Sequence, residues 1–231
     1  MSESHAAVVK SSWMTLLADL MRSTEVNWLS DIDPLIASES KLFQMRSAMS
    51  VGIRYPRTII SNQAARIRQE FADEVVLKPL GPGHYVEGSS ARVVFATTCA
   101  LDDPRLDLVD TVPFLCQERL RARRHIRIVT VETEAWAAQL DATNRPLDWR
   151  KDPPAHREFK ALLDPPEDAI SGAIRLTSAL NLGYSSQDWI LTDEGLYFLD
   201  LNPGGQWLFL PDQVSVKVTA ALAAWMVRSI E

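Results

Sequence analysis

Apolar and polar positions follow two rhythms along this chain, and the rhythm changes often. Residues 4–22 carry Val8, Val9, Trp13, Leu16, Leu17 and Leu20 at roughly helical spacing, which predicts a helix. Residues 26–34, broken by Asp31, Asp33 and Pro34, read as a loop. A second helix is expected over 38–50, with Gly52 just past its end as C-terminal caps often are. A short strand at 57–60, a helix at 62–71 capped by Ser61, and a strand at 74–80 come next. The segment GPGHYVEGSSA then leads into a strand at 92–98. An acidic, linker-like patch at 101–110 is bounded by the breakers Pro104 and Pro113. Strands at 112–120, 126–131 and 135–140 precede the polar loop LDWRKDPP at 147–154. A long helix at 166–182 buries Ile170, Ala173, Ile174, Thr177 and Leu180, and Asp212 caps a last helix to Ser229. Strands mixed with a few helices and hairpins predict an α+β fold.

The stretch YSSQDWILTDEGLYFLDLNPGGQWLFL, 184–210, organises the rest. Two apolar runs flank Asp193, Glu194 and Gly195, a turn that glycine closes by accepting φ > 0. Counting outward from that turn places Asp188 opposite Asp200, and strand alternation puts Asn202 on the same side. Opposed carboxylates destabilise a ladder unless a positive charge sits between them. Asp, Asp and Asn oxygens suit a magnesium ion. A solvated hairpin with its acids turned to water is the other reading.

Other positions carry weaker signals. Lys41 stands in the first turn of its helix, where a cation opposes the helix dipole. Lys78 interrupts the apolar run of Val75, Val76 and Leu77, a costly place for an ammonium without an anion. The glycine loop behind it could close backbone N–H groups over phosphate, or be an ordinary hairpin loop; it lacks the order of a P-loop. Arg127, between Ile126 and Ile128, points to one defined face and suits bidentate binding of phosphate or carboxylate, with His125 beside it.

Composition narrows the classes. The chain has 231 residues, 46% hydrophobic and 23% charged, which is ordinary for a globular protein of one domain or two apposed ones. The net charge of −6 argues against a general nucleic-acid surface, and the arginines at 119–127 lack interleaved aromatics for stacking bases. Cys99 and Cys116 are too few for a disulfide scaffold or a four-ligand zinc site and read as buried thiols in the cytoplasm. Val218 to Val227 is too short to cross a bilayer.

The order of ESKLF, VVLKPL, the glycine loop, QERL, HIRI, Asp188 and DLNPGG resembles the ATP-grasp superfamily of carboxylate–amine and carboxylate–alcohol ligases. The resemblance begins near Trp28 and covers most of the chain. DLNPGGQW and LDWR look most like the branch that matures ribosomal peptides by side-chain cross-linking, the microviridin or graspetide type. The resemblance implies two α+β subdomains with ATP between them. Lys41 and Lys78 would hold the phosphates, and the loop from Gly81 through Gly83 to Gly88 would close over them. Gln117, Glu118, Arg119 and Leu120 match the segment whose backbone cradles adenine. Arg127, with Arg150 as a second, would meet the γ-phosphate and acyl-phosphate. Asp188, Asp200 and Asn202 match the Mg2+ ligands, although relatives usually carry Glu where Asp200 stands, and often Asp where His125 stands.

The same resemblance divides the chain into a helix and linker at 1–37, left from an absent N-terminal domain, a small subdomain at 38–113 and a C-terminal subdomain at 114–231. It implies an ATP-dependent ligase that activates a carboxylate as acyl-phosphate, with a ribosomal precursor peptide as substrate. A homodimer is compatible with it; nucleic acid and membrane partners are not expected. A ligase adding an amino acid to a protein or small molecule, and a non-catalytic nucleotide- or peptide-binding module, are the alternatives.

Overall fold

The computed structural model describes residues 3–81 and 83–229, so Pro82 of the glycine loop lies outside the described residues. Helices α1 (Glu3–Leu20), α2 (Ile32–Ser38) and α3 (Lys41–Ser50) open the chain. Strand β1 (Thr58–Ser61), helix α4 (Ala64–Glu70) and strands β2 (Glu74–Pro79), β3 (His84–Glu87), β4 (Ser90–Val93) and β5 (Thr97–Ala100) follow. After a 3-10 turn at Pro104–Thr111 come β6 (Phe114–Glu118), β7 (Arg124–Val131) and β8 (Glu134–Asp141). The rest comprises α5 (Ala155–Glu158), β9 (Lys160–Ala161), α6 (Glu167–Ala179), β10 (Tyr184–Thr192), β11 (Gly195–Asn202) and α7 (Asp212–Arg228).

Two antiparallel sheets carry the architecture, one ordered β1-β6-β2-β5 and the other β11-β10-β7-β8-β9, with β3-β4 a separate two-stranded hairpin. The 113/114 divide expected from sequence therefore falls inside the four-stranded sheet, because β6 pairs with β1 and β2. The α+β class stands.

Alternation along the strands decides which helix covers which face. Ile126, Ile128, Trp189, Phe198 and Leu201 point to one side of the five-stranded sheet and pack with Ala169, Ala173, Leu176 and Leu180. Val129, Val131, Ala138, Leu140 and Tyr184 point to the other and meet Val214 and Val218 of α7. A separate cluster of Ile67, Phe71, Val75, Leu106 and Cys116 fastens α4 and the 3-10 turn to the four-stranded sheet. Helix α6 stops in a Schellman motif: Asn181 takes φ +53°, and Leu182 N–H reaches back to Thr177 O at 3.0 Å.

Several expected elements differ. The loop at 26–34 gives way to α2 at Ile32, because Pro34 sits within the first turn, where N–H groups have no helical partner to lose. Ser61 accepts from Gln63 N at 2.9 Å, and α4 starts later, at Ala64. The strand expected at 92–98 is two strands, since the glycine segment folds back as the β3–β4 hairpin around Gly88 at φ +62°. The acidic linker is a 3-10 turn that packs Leu106 and Val109 inward. Asp212 is the first residue of α7, with Pro211 at the cap position. Helix α1 forms as expected, but Val8, Trp13, Leu16, Leu17 and Leu20 stay exposed.

The β10–β11 hairpin reaches its expected register by an unexpected route. Its loop has two residues, not three, so Thr192 pairs with Gly195. The ladder then breaks between Asp188 and Trp189: Trp189 pairs with Phe198, Asp188 with Asp200, and Leu199 is the extra residue of a bulge. The bulge also switches the parity of β11. Leu196 and Phe198 face the α6 core, and so does Leu201, which turns Asp200 and Asn202 to the opposite face with Asp188. Without it, a two-residue loop would bury Asp200 beside Phe198.

Candidate functional site

A cavity of about 460 Å³ lies between the two sheets, a size suited to a small-molecule ligand. Lys78 and the 117–120 segment line it from the four-stranded side, Asp188 and Asp200 from the five-stranded side. Lys41 reaches in from α3, Gly81 and Gly83 from the root of the β3–β4 hairpin, and Arg150 from the loop before α5. Residues spread over more than a hundred positions thus meet in one space.

The strand row at the centre is Arg127, Asp188 and Asp200, direct neighbours across β7, β10 and β11. Arg127 Nη1 donates to Asp188 Oδ1 at 2.7 Å. Lys41 Nζ stands 3.5 Å from Asp200 Oδ2. Arg150 grips Asp148 with two bonds, Nε to Oδ1 at 2.8 Å and Nη2 to Oδ2 at 2.6 Å. Four cations therefore face three carboxylates. Lys78 is left over, without an ion-pair partner among the described residues. Burial pushes the Lys78 ammonium below its ordinary pKa, and Lys41 adds to that, while Asp200 and Asp188 pull the other way. An anion in the cavity would complete this balance.

Other groups are tuned by the same surroundings. Burial holds His125 below its usual value against the pull of Asp188 and Asp148, so its imidazole is kept neutral. Burial would raise the Asp148 carboxyl, but bonds from Arg150 and from the backbone of Arg150 and Ala96 outweigh it and hold it low. Asp148, nearly fully buried, is a site residue that sequence reasoning passed over; its signal was an acid two residues before Arg150 in LDWR.

The remaining expected residues divide by how they are used. The Glu118 carboxylate accepts from Arg57 N at 2.7 Å, and Gln117 Nε2 donates to Thr58 Oγ1 at 2.9 Å. Arg119 turns its side chain to Glu74. Their side chains are thus committed to the sheet. Arg119 and Leu120 line the cavity just beyond Glu118, the last paired residue of β6. Gly83 O accepts from Val94 N at 2.5 Å, and a Cβ there would lie 3.1 Å from Val94 O.

Arg127 is nearly buried, lying behind Asp188 beneath the turn that follows Asn202. Asn202 Oδ1 accepts from Gly204 N at 2.9 Å and so shapes that turn. Tyr184 Oη donates to Gly205 O at 2.5 Å and pins it; burial pushes the Tyr184 hydroxyl up to about 12. Gly205 is required by closeness: a Cβ would stand 2.6 Å from Ser186 Cβ and 3.0 Å from Arg127 Nη2.

The donor set bears on a metal. Among the described residues no group of three or more His, Cys, Asp or Glu could hold an ion. Two carboxylates and one amide oxygen do fit magnesium when other ligands come from phosphate and water. Asp200 Oδ1 is buried and accepts no hydrogen bond among the described residues, which leaves a hard oxygen for a cation.

No family model and no curated protein matches the sequence. Solved structures do. A RiPP-associated ATP-grasp ligase of Chryseobacterium gregarium, in complex with ADP and a leader and core peptide, superposes with a TM-score of 0.89 at 20% identity, over 99% of this chain and 71% of that one. The chain has the ATP-grasp fold. The macrocyclase MdnC of Microcystis aeruginosa, bound with precursor peptide MdnA, gives a TM-score of 0.80 at 21% identity over 99% and 72% of the two chains. The D-alanine–D-alanine ligase of Bacillus anthracis, complexed with ATP, gives 0.58 at 12% identity over 87% and 67%. Within this ATP-grasp frame the likeness extends beyond residues 28–231 to nearly the whole chain. No helix among the described residues is long and apolar enough to cross a membrane.

Proposed function

We propose that this protein is an ATP-dependent ligase that activates a carboxylate as an acyl-phosphate and joins acidic side chains of a ribosomal precursor peptide to hydroxyl or amine groups. The observation that carries the reading is the unpaired, half-buried Lys78 facing Asp188 and Asp200 across the inter-sheet cavity. A cation without an anion and a carboxylate oxygen without a donor suit a nucleotide phosphate with its magnesium. The solved ligases that resemble this fold and hold ADP with leader, core or precursor peptides support the same substrate class.

Asp188, Asp200 and Asn202 would hold magnesium, which when bound neutralises and aligns phosphate oxygens. The protein's own part is positioning and charge. Lys78 and Lys41 offset the phosphate charge. Arg119 and Leu120 offer backbone groups to a base. Arg150, oriented by Asp148, meets the transferred phosphoryl group or the substrate acid. Attack of the substrate carboxylate on the γ-phosphorus then releases ADP. Attack of a hydroxyl or amine on the acyl carbon releases phosphate, and no protein nucleophile is needed.

A second reading, a nucleotide-binding module without catalysis, is favoured by one observation: Arg127 is covered by the Gly205 turn instead of standing open to the cavity. Purified protein incubated with ATP, magnesium and acidic peptides separates the two. Ligase action produces ADP, an acyl-phosphate that hydroxylamine captures, and a peptide lighter by one water per bond. Magnesium-dependent nucleotide binding without any ADP formation leaves only the binding module.

A further inference from the structure

Strand β11 is the edge of the five-stranded sheet, and an edge strand presents unpaired N–H and C=O groups to whatever lies beside it. At Leu201 those groups are not open. Gln44 of α3 donates from Nε2 to Leu201 O at 2.7 Å and accepts at Oε1 from Leu201 N at 2.9 Å. Its side-chain amide therefore binds the edge as the peptide group of a neighbouring strand would. The second Nε2 hydrogen goes to Ser38 O at 2.7 Å, at the end of α2. Gln44 is almost fully buried, and a buried amide with both ends bonded to backbone is held in one orientation.

The position of Leu201 gives this clamp its meaning. Leu201 lies between Asp200 and Asn202, and its apolar side chain is in the α6 core. Gln44 lies three residues after Lys41, so both project from neighbouring positions on one helix face. Lys41 Nζ is 3.5 Å from Asp200 Oδ2. The amide clamp and the Lys41–Asp200 contact thus join α3 to β11 at adjacent residues of the strand.

We infer that Gln44 is a positioning residue for the magnesium–phosphate end of the site, acting by locking α3 to the edge of β11 so that Lys41, Asp200 and Asn202 keep a common register. The inference rests on the nucleotide reading of the cavity. Neither Lys41 nor Asp200 can supply the lock: a single charge contact at 3.5 Å permits sliding, whereas a two-point amide clamp fixes displacement along the strand.

Three measurements test it. In wild-type protein without ligand, the Leu201 amide should exchange with deuterium as slowly as the interstrand-bonded amides of β11; fast exchange, as at an open edge, overturns the clamp. Gln44→Met should keep the fold by circular dichroism, yet weaken ADP binding in the presence of magnesium about tenfold. With chelator it should leave the residual ADP affinity nearly unchanged. An unchanged affinity with magnesium, or equal losses with and without it, refutes the positioning role. In a Lys41→Met background the further loss from Gln44→Met should shrink to about twofold, because the helix then has less to deliver; full additivity again refutes it. Should Gln44→Met fail to fold, Gln44→Glu, which keeps the acceptor for Leu201 N but loses both donors, is read in the same magnesium-dependent binding comparison. Wild-type protein that binds no ADP with magnesium sinks the nucleotide reading itself, and this inference with it, whereas normal wild-type binding with a silent Gln44→Met sinks the inference alone.

Discussion

Arg127 stands directly opposite Asp188 across the β7–β10 ladder, and its guanidinium closes the gap with a 2.7 Å bond to Asp188 Oδ1. Asp188 in turn stands opposite Asp200, which has Lys41 on its far side. Two carboxylates side by side on a sheet are thus flanked by cations at both ends of the row. Arg127 itself stays covered by the Gly205 turn, so its part in the row is to hold Asp188 in place.

Removing Asp188 leaves the nearly buried Arg127 charge without its partner. Asp188→Ala should destabilise the protein by about 2 kcal/mol, less than for a fully buried pair because Asp188 is partly exposed. Urea unfolding measures this. The same variant should lose magnesium-dependent ADP binding. Asp200→Ala and Asn202→Ala should lose that binding too, and retained binding in either would remove the metal assignment.

Gly205 offers a purely steric test. In Gly205→Ala the new methyl meets Ser186 Cβ, which is fixed by the backbone of β10, and Arg127 Nη2. Overpacking of this kind costs about 1–3 kcal/mol. Because the Tyr184 bond pins the turn at the same residue, that bond should lengthen as the turn lifts. A red shift or loss of protection at Tyr184, read by fluorescence or hydroxyl exchange, should accompany the drop in stability.

The Lys78 ammonium has a folded pKa below its ordinary 10.5, chiefly through burial. The unfolded chain therefore binds more protons in the window between the lowered value and 10.5, so stability rises with pH across it. Nucleotide binding has the opposite sign, because phosphate oxygens favour the charged lysine. ADP affinity measured by calorimetry should fall as pH climbs through the lowered Lys78 value. Lys78→Arg, which stays charged, should flatten the fall.

At the acid end Asp148 contributes its own pH dependence. Burial disfavours its charge, but its bonds to Arg150 win, so its folded pKa lies below the ordinary 3.8. Its contribution is fully present above 3.8 and disappears as pH falls through the folded value. Asp148→Ala should lower stability at neutral pH by about 1–2 kcal/mol and abolish that part of the acid dependence. It should also loosen Arg150, which a raised KM for the acidic peptide would register.

Much of the site could be read along the chain because the residues concerned break a local rule. Lys78 interrupts an apolar strand and Arg127 stands between two isoleucines, and each intrusion is costly unless tertiary structure answers it. Counting outward from the turn brings Asp188, Asp200 and Asn202 to one side, and the bulge at Leu199 keeps them there although the loop is one residue shorter than expected. Bulges arise from the fit of a strand to both neighbours, and alternation alone carries no trace of them.

The order of the elements and the identity of the chemically unusual residues are legible along the chain, since periodicity and local charge are properties of neighbouring positions. Which groups are already spoken for is settled by contacts between distant segments. The folded chain commits the side chains of Gln117 and Glu118 to the sheet, covers Arg127 with Gly205, and sets Gln44 on the edge of β11. Those outcomes depend on hydrogen-bond partners as far as 157 residues apart in the chain, and no local pattern encodes which distant donor meets which acceptor.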